Sequence, residues 1–299
     1  MFSLIGIAGL NARGRAIGAR LRTAGLRLVG YDPDVQAAAT SGLRTVSSLE
    51  RLTQEADMIL IAQDGDEAAA LTQDVLGLQS IRAVVCCGTQ QPDRARELAA
   101  SAGDRGVSFV EIAFDDDDSV QLGRAVVFAG GKEVDVETCR PVLEACGMVI
   151  LVGDAGAAQV ARAVSDLLRW SNVLAVKEAF GLAETHGCDV TAVRRAMLAG
   201  SGGSRALEDW GKASLPEGRQ AVERALALAQ GAGAEIPFLS RMDELLAALD
   251  GEKLNGLFNL GIVDLSQHEG DEPPPETAEA ELEAPIEGVA TVEDEPAEA

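Results

Sequence analysis

Seven apolar runs punctuate the first half of the chain: residues 2 to 8, Leu26 to Tyr31, MILIA (58 to 62), AVVCC (83 to 87), VSFVEIA (107 to 113), AVVFAG (125 to 130) and MVILVG (148 to 153). Their apolar residues are consecutive instead of alternating, the pattern of strands covered on both faces. Most are separated by stretches with helical periodicity, the first from 12 to 24 and stopped by Gly25. Strand and helix in alternation predict an α/β fold with a doubly wound parallel sheet. After Gly153 the strand pattern stops. One helical pattern then runs from Asp154 to about His186, long enough for about 45 Å at 1.5 Å per residue, and three or four more helices follow to roughly Leu257. A helix of that length outruns a small lobe, so its apolar positions Val160, Val164, Leu167, Leu168 and Leu174 predict a partner subunit, most simply a homodimer. The chain divides into a sheet domain over 1–153, an all-α domain over 154–258 and a remainder over 259–299.

The junction of the first strand and helix carries a candidate site. Residues 9 to 14 read GLNARG, one residue short of the G-x-G-x-x-G fingerprint of a Rossmann-type dinucleotide-binding domain. There the first glycine makes the strand-to-helix turn, the second admits a pyrophosphate, and the third lets helix pack on strand. Gly9 and Gly14 keep the outer roles, while Asn11 sets a side chain where phosphate comes closest. Asp32 ends the second strand 23 residues past Gly9, near the ~20-residue offset of an acid that binds a ribose 2′-hydroxyl. Capping of a helix at Pro33 is the other reading of that aspartate. Leu10 in the turn, Gln63 after the third strand and Thr89 after the fourth complete the candidate cofactor residues, although a threonine following Gly88 also serves as a helix cap. A carboxylate at position 32 repels a 2′-phosphate. The expected cofactor is NAD rather than NADP, with loss of cofactor binding left open by Asn11.

Further segments follow in a fixed order: GTQQP (88 to 92), FAGG (128 to 131), CRPVLEACG (139 to 147) and VGDAGAAQVAR (152 to 162). Together with IGIAGLNARGRAIGARL at the start, they resemble the β-hydroxyacid dehydrogenases, the 3-hydroxyisobutyrate and 6-phosphogluconate dehydrogenase group, over about residues 3 to 250. The matching family segments are I-G-x-x-G-x-G-x-M-G, S-T-x-x-P beside the nicotinamide, V-G-G, P-x-L-x-x-M-G and G-x-x-G-x-G-x-x-x-K. The resemblance implies hydride transfer between a nicotinamide and a small substrate, with catalytic positions at Arg162 and Asp166. It also implies departures at those positions. The family's proton-transferring lysine corresponds to Arg162, and a guanidinium, which keeps its proton in proteins, is a poor acid or base. Asp166 stands for a substrate-holding asparagine, and Asp115, Asp116 and Asp117 stand for a substrate-binding Ser-Gly-Gly. A later lysine-aspartate pair falls near Gln220 and Ala221. Lys212, beside Trp210, is the nearby lysine that could substitute as a proton donor. Arg162 and Asp166, one helical turn apart, can pair.

Composition narrows the classes further. The net charge is -23, yet 13 acidic residues and no lysine or arginine fall between Asp264 and Ala299, leaving 35 acids against 25 bases elsewhere. That surface argues against nucleic acid, which needs a basic footprint. The Pro-, Glu- and Ala-rich tail reads as disordered, with LEAPIEGVATV as its one apolar foothold for a protein partner. No apolar run is long enough to span a membrane and no signal peptide is evident, so the expected location is cytoplasmic. Five cysteines without a CxxC pair and two histidines favour neither a disulfide framework nor a metal site. The four aspartates at 115 to 118 read either as a solvated loop or as pocket lining; as lining they would suit a cationic imine or amine better than a hydroxy acid. Two functional readings stand. One is a divergent NAD-dependent oxidoreductase acting on a small carbonyl, alcohol or imine. The other is a catalytically inactive relative serving as a binding or scaffold protein with an acidic interaction tail.

Overall fold

The structure is a computed structural model and describes residues 2–78, 81–212 and 214–249. The expected tail at 259–299 lies outside the described residues. Strands β1 (Ile5–Ala8), β2 (Leu28–Tyr31), β3 (Met58–Ile61), β4 (Ala83–Cys86), β5 (Ser108–Phe114), β6 (Ala125–Gly130) and β7 (Gly147–Gly153) alternate with helices α1 (Ala12–Thr23), α2 (Val35–Thr40), α3 (Leu49–Glu55), α4 (Gly65–Gly77), α5 (Pro92–Gly103), α6 (Asp117–Leu122) and α7 (Glu133–Leu143). They form one Rossmann-like sheet in the order β2-β1-β3-β4-β5-β6-β7. Helices α8 (Ala157–Thr185), α9 (Val190–Ala199), α10 (Arg205–Glu208), α11 (Leu215–Gly231) and α12 (Pro237–Ala248) complete a helical C-terminal region.

The seven strands fall where the apolar runs predicted them. The parallel sheet holds with one correction: β5 and β6 pair antiparallel. The reason is chain length. Only residues 115 to 124 connect them, short of the dozen or more that a parallel crossover requires, so the chain turns back through the one-and-a-half turns of α6. β7 then returns parallel to β6 after the longer α7 connection.

Both faces of the sheet are covered, as the unbroken apolar runs require. Ile7, Leu60, Val85 and Val110 pack on one side and Ile59, Ile61, Val84 and Leu98 on the other. The helical region has its own core around Trp170, Phe180, Trp210 and Met242, where Phe180 meets Trp210 edge-on with ring centroids 5.2 Å apart. Gly218 of α11 lies flat on Trp170; a Cβ there would come within 2.7 Å of the indole. The 29-residue α8 reaches about 44 Å. Leu174 joins the helical core and Leu167 packs against it, while Val160, Val164 and Leu168 are 42%, 51% and 60% exposed.

Candidate functional site

At the C-terminal end of β1 the chain makes the turn that the glycine pattern predicts. Gly9 has φ +94°, a conformation open to glycine and strained for other residues. Gly14 is required by contact: a Cβ would fall 2.0 Å from the Gly9 carbonyl oxygen. Asn11 is extended, with φ −63°, so its backbone makes no demand for glycine. Its side chain folds inward. The carboxamide oxygen accepts from the Gly14 N–H at 3.0 Å, and Nδ2 donates to the Ala62 carbonyl at 2.8 Å and to Gln63 Oε1 at 3.2 Å. Asn11 therefore caps α1 and takes up a first-turn N–H of the kind that otherwise faces an anion.

Asp32 sits beside this turn. One carboxylate oxygen accepts from the Leu10 N–H at 2.6 Å and the other from the Asp34 N–H at 2.9 Å. Asp34, not Asp32, caps α2. Leu10 itself is fully buried and offers the turn only its backbone. Thr89 is not a helix cap either, because Gln91 occupies the N-cap of α5; its N–H donates to Asp64 Oδ1 at 2.6 Å. A left-handed glycine turn, a close-packed third glycine and an acid at the neighbouring strand end fit a dinucleotide, with Asn11 narrowing the diphosphate position.

From Thr89 the sheet edge opens onto a cleft of about 1400 Å³ whose far wall is α8 and α11. Its centre is an ion triad. Asp166 Oδ2 accepts from Arg162 Nε at 3.1 Å and from the Arg224 guanidinium at 3.0 Å, and the Asp166 side chain is only 5% exposed. Arg162 also donates to the Phe114 carbonyl at the end of β5. Two cations around one carboxylate leave a net positive centre in the cleft.

The acidic loop is occupied with local structure. Asp115 Oδ1 accepts from the Val126 N–H at 2.7 Å. Asp116 caps α6, accepting from the Asp118 N–H at 3.1 Å and the Ser119 hydroxyl at 2.6 Å. Both line the cleft, while the side chain of Asp117 lies outside the described residues. Gln220 and Ala221 line the cleft from α11, and Lys212 does so while paired with Asp209 at 2.7 Å. His186 occupies the C-cap position of α8, on the exposed end of the helix.

Three polar residues missed in the sequence stand behind the cleft. Glu111, in the middle of β5, is wholly buried; its Oε2 accepts from the Gly156 N–H at 2.6 Å, at the start of α8, and its Oε1 has no hydrogen-bond partner among the described residues. Burial pushes this carboxyl up to about 7 against the pull of the Gly156 N–H. Gln90 is buried with its amide equally unpartnered, and Gln159 donates to the Gly88 carbonyl at 3.2 Å. The available signal was an acid inside the apolar run VSFVEIA.

Residues 4–153 match the model of the NAD binding domain of 6-phosphogluconate dehydrogenase. Among curated proteins, the chain is 27% identical over 217 residues to a probable 3-hydroxyisobutyrate dehydrogenase-like protein, mitochondrial, of Arabidopsis thaliana, covering 70% of this chain and 73% of the relative. Among solved structures it is similar to Mycobacterium tuberculosis 3-hydroxyisobutyrate dehydrogenase with L-serine, at TM-score 0.74 and 24% identity over 87% of this chain and 99% of that one. It is also similar to a variant imine reductase of Myxococcus stipitatus in complex with NAD+, at TM-score 0.59 and 18% identity over 83% and 93%.

Glu111 generates a stability prediction. Its ordinary value is 4.5 and its folded value about 7, so the fold favours the protonated acid. That contribution is complete below pH 4.5 and is lost as pH rises through about 7, an effect of roughly 3 kcal/mol. Glu111→Gln keeps an acceptor for the Gly156 N–H and cannot ionise. Urea unfolding at pH 5 and pH 8 should show a smaller drop between the two in the variant; an equal drop in both proteins would contradict the assignment.

Proposed function

The chain belongs to the β-hydroxyacid dehydrogenase family, and from that premise we propose that it is a divergent NAD-dependent oxidoreductase in which a fixed cation replaces the titrating group of the site. The observation that carries this reading is the triad of Arg162, Asp166 and Arg224. A bound nicotinamide would supply or accept the hydride. Around it, Gly9, Leu10, Asn11 and Gly14 would form the turn under the diphosphate, Asp32 would accept from a ribose hydroxyl and repel a 2′-phosphate, and Gln63 and Thr89 would border the path toward the reacting end.

Arg162 would donate hydrogen bonds to the oxygen or nitrogen of a small carbonyl, alcohol or imine and stabilise negative charge developing there. A guanidinium in this position serves as a hydrogen-bond donor and not as an acid. Asp166 would fix the guanidinium in place, and the accompanying proton would come from water in the reductive direction and pass to water in the oxidative one. Asp115 and Asp116 would shape the substrate end of the cleft. The net positive triad favours an electron-rich substrate atom at its centre, in place of the cationic substrate that four free aspartates would select.

The cap formed by Asn11 and the engaged guanidinium of Arg162 favour a second reading, a non-catalytic binding or scaffold member with the acidic segment 259–299 as its interaction tail. Turnover separates the two. The unmodified protein, assayed by NADH absorbance, should oxidise 3-hydroxyisobutyrate-like acids little or not at all. Arg162→Lys alone should stay silent, because a lysine facing Asp166 remains protonated. Arg162→Lys with Asp166→Asn and Ser-Gly-Gly at 115 to 117 should gain measurable turnover. Robust activity of the unmodified protein on these acids would refute the fixed-cation reading, and failure to turn over any small carbonyl or imine while NADH binds would support the scaffold.

We also propose a homodimer in which a second copy covers the exposed stripe of Val160, Val164 and Leu168 on α8. Light scattering at micromolar concentration should give twice the chain mass of 31.1 kDa. A particle of single-chain mass would rule it out.

A further inference from the structure

The turn that caps itself with Asn11 has an unusual neighbour. Arg13, two residues on in α1, extends its guanidinium to Asp64 Oδ1 at 2.5 Å. Asp64 stands at the N-cap of α4 yet makes no cap hydrogen bond there; its carboxylate is turned outward, accepting from the Thr89 N–H on the same oxygen that meets Arg13. An aspartate at an N-cap ordinarily satisfies its own helix. Here it joins the glycine turn to the end of β4, and Arg13, Asp64 and Thr89 all line the cleft.

A dinucleotide held at Asp32 and extended to Thr89 would pass the glycine turn, and Arg13 and Asp64 stand between that turn and Thr89. We propose that Arg13 is the diphosphate-binding residue of this chain, parked on Asp64 until a dinucleotide enters and then transferred to the diphosphate. The inference rests on the dinucleotide reading above and adds a residue and an order of events to it. Chemistry favours the exchange. Asn11 has used the Gly14 N–H, so the turn has one anion donor fewer than a glycine would leave. The pair is open to solvent on the Asp64 side, whose side chain is 52% exposed, so its attraction is partly screened, whereas a guanidinium on a diphosphate makes charge-assisted, bidentate hydrogen bonds to a group with two negative charges. Asp64 competes with the cofactor for the same cation, which makes it a built-in brake on affinity.

Titration of NADH and ADP-ribose into the purified chain tests this, since both carry the diphosphate and only one carries nicotinamide. Arg13→Ala should weaken both by at least tenfold and lessen the salt dependence of binding, Arg13→Lys should restore part of the loss, and Asp64→Asn, which keeps an acceptor for the Thr89 N–H, should tighten both severalfold. Melting temperatures of the three variants serve as the folding control. Unchanged affinities in Arg13→Ala, a loss seen with NADH alone, or weaker binding in Asp64→Asn would overturn the proposal while leaving the dinucleotide reading intact. No binding of NADH, NADPH or ADP-ribose to the unmodified protein at millimolar concentration would overturn both.

Discussion

The carboxylate of Asp166, nearly buried between two guanidinium groups, is the interaction that joins the architecture of this protein to its chemistry. Through Arg162 it ties α8 to the end of β5, and through Arg224 it ties α8 to α11. A charge in this position is tolerated only because it is paired. Removing one partner of a buried pair typically costs about 3–5 kcal/mol, since the remaining charge is left desolvated. The same arrangement decides what the site can do. A lysine in a cleft can be tuned to give up its proton near neutrality, whereas an arginine between a carboxylate and a carbonyl oxygen remains a cation at every working pH.

Around this centre, short polar residues do structural work with the groups that would otherwise meet ligands. Asn11 closes on the Gly14 N–H, Asp32 on the Leu10 N–H, Asp116 on the first turn of α6, and Glu111 on the first N–H of α8. Each bond satisfies a buried or helix-end donor that would be costly to leave unmade. The cleft itself is lined by charges of both signs, several of them paired: Arg13 with Asp64, Arg162 and Arg224 with Asp166, and Lys212 with Asp209.

The sheet was legible in the sequence because a strand covered on both faces writes itself as an uninterrupted apolar run. Its one reversed pairing, β5 with β6, had its signal in the short gap between the runs ending at 113 and beginning at 125, too few residues for a parallel crossover, whereas the apolar character of the runs does not distinguish strand direction. The turn at Gly9 and Gly14 was legible because close packing and positive φ leave glycine as the economical choice. The orientation of Asn11 was not, since an asparagine at that position can point at a ligand or cap the helix, and the choice is made by Ala62 and Gln63 across the turn. The pairing of Arg162 with Asp166 followed from their spacing of one helical turn, while Arg224 arrives from a helix 58 residues later and leaves no local trace. Glu111 was hidden by its surroundings, a single acid within a run whose apolar character settles the strand.

A double-mutant cycle between Arg162 and Asp166, using Arg162→Gln and Asp166→Asn alone and together and unfolded in urea at one chain concentration, measures the central interaction directly. A desolvated pair that anchors the cleft should give a coupling energy of at least about 1.5 kcal/mol. A value under about 0.5 kcal/mol, the range of solvent-exposed pairs, would mean that Arg162 is a loosely held side chain and would contradict the account of a fixed cation at the centre of the site.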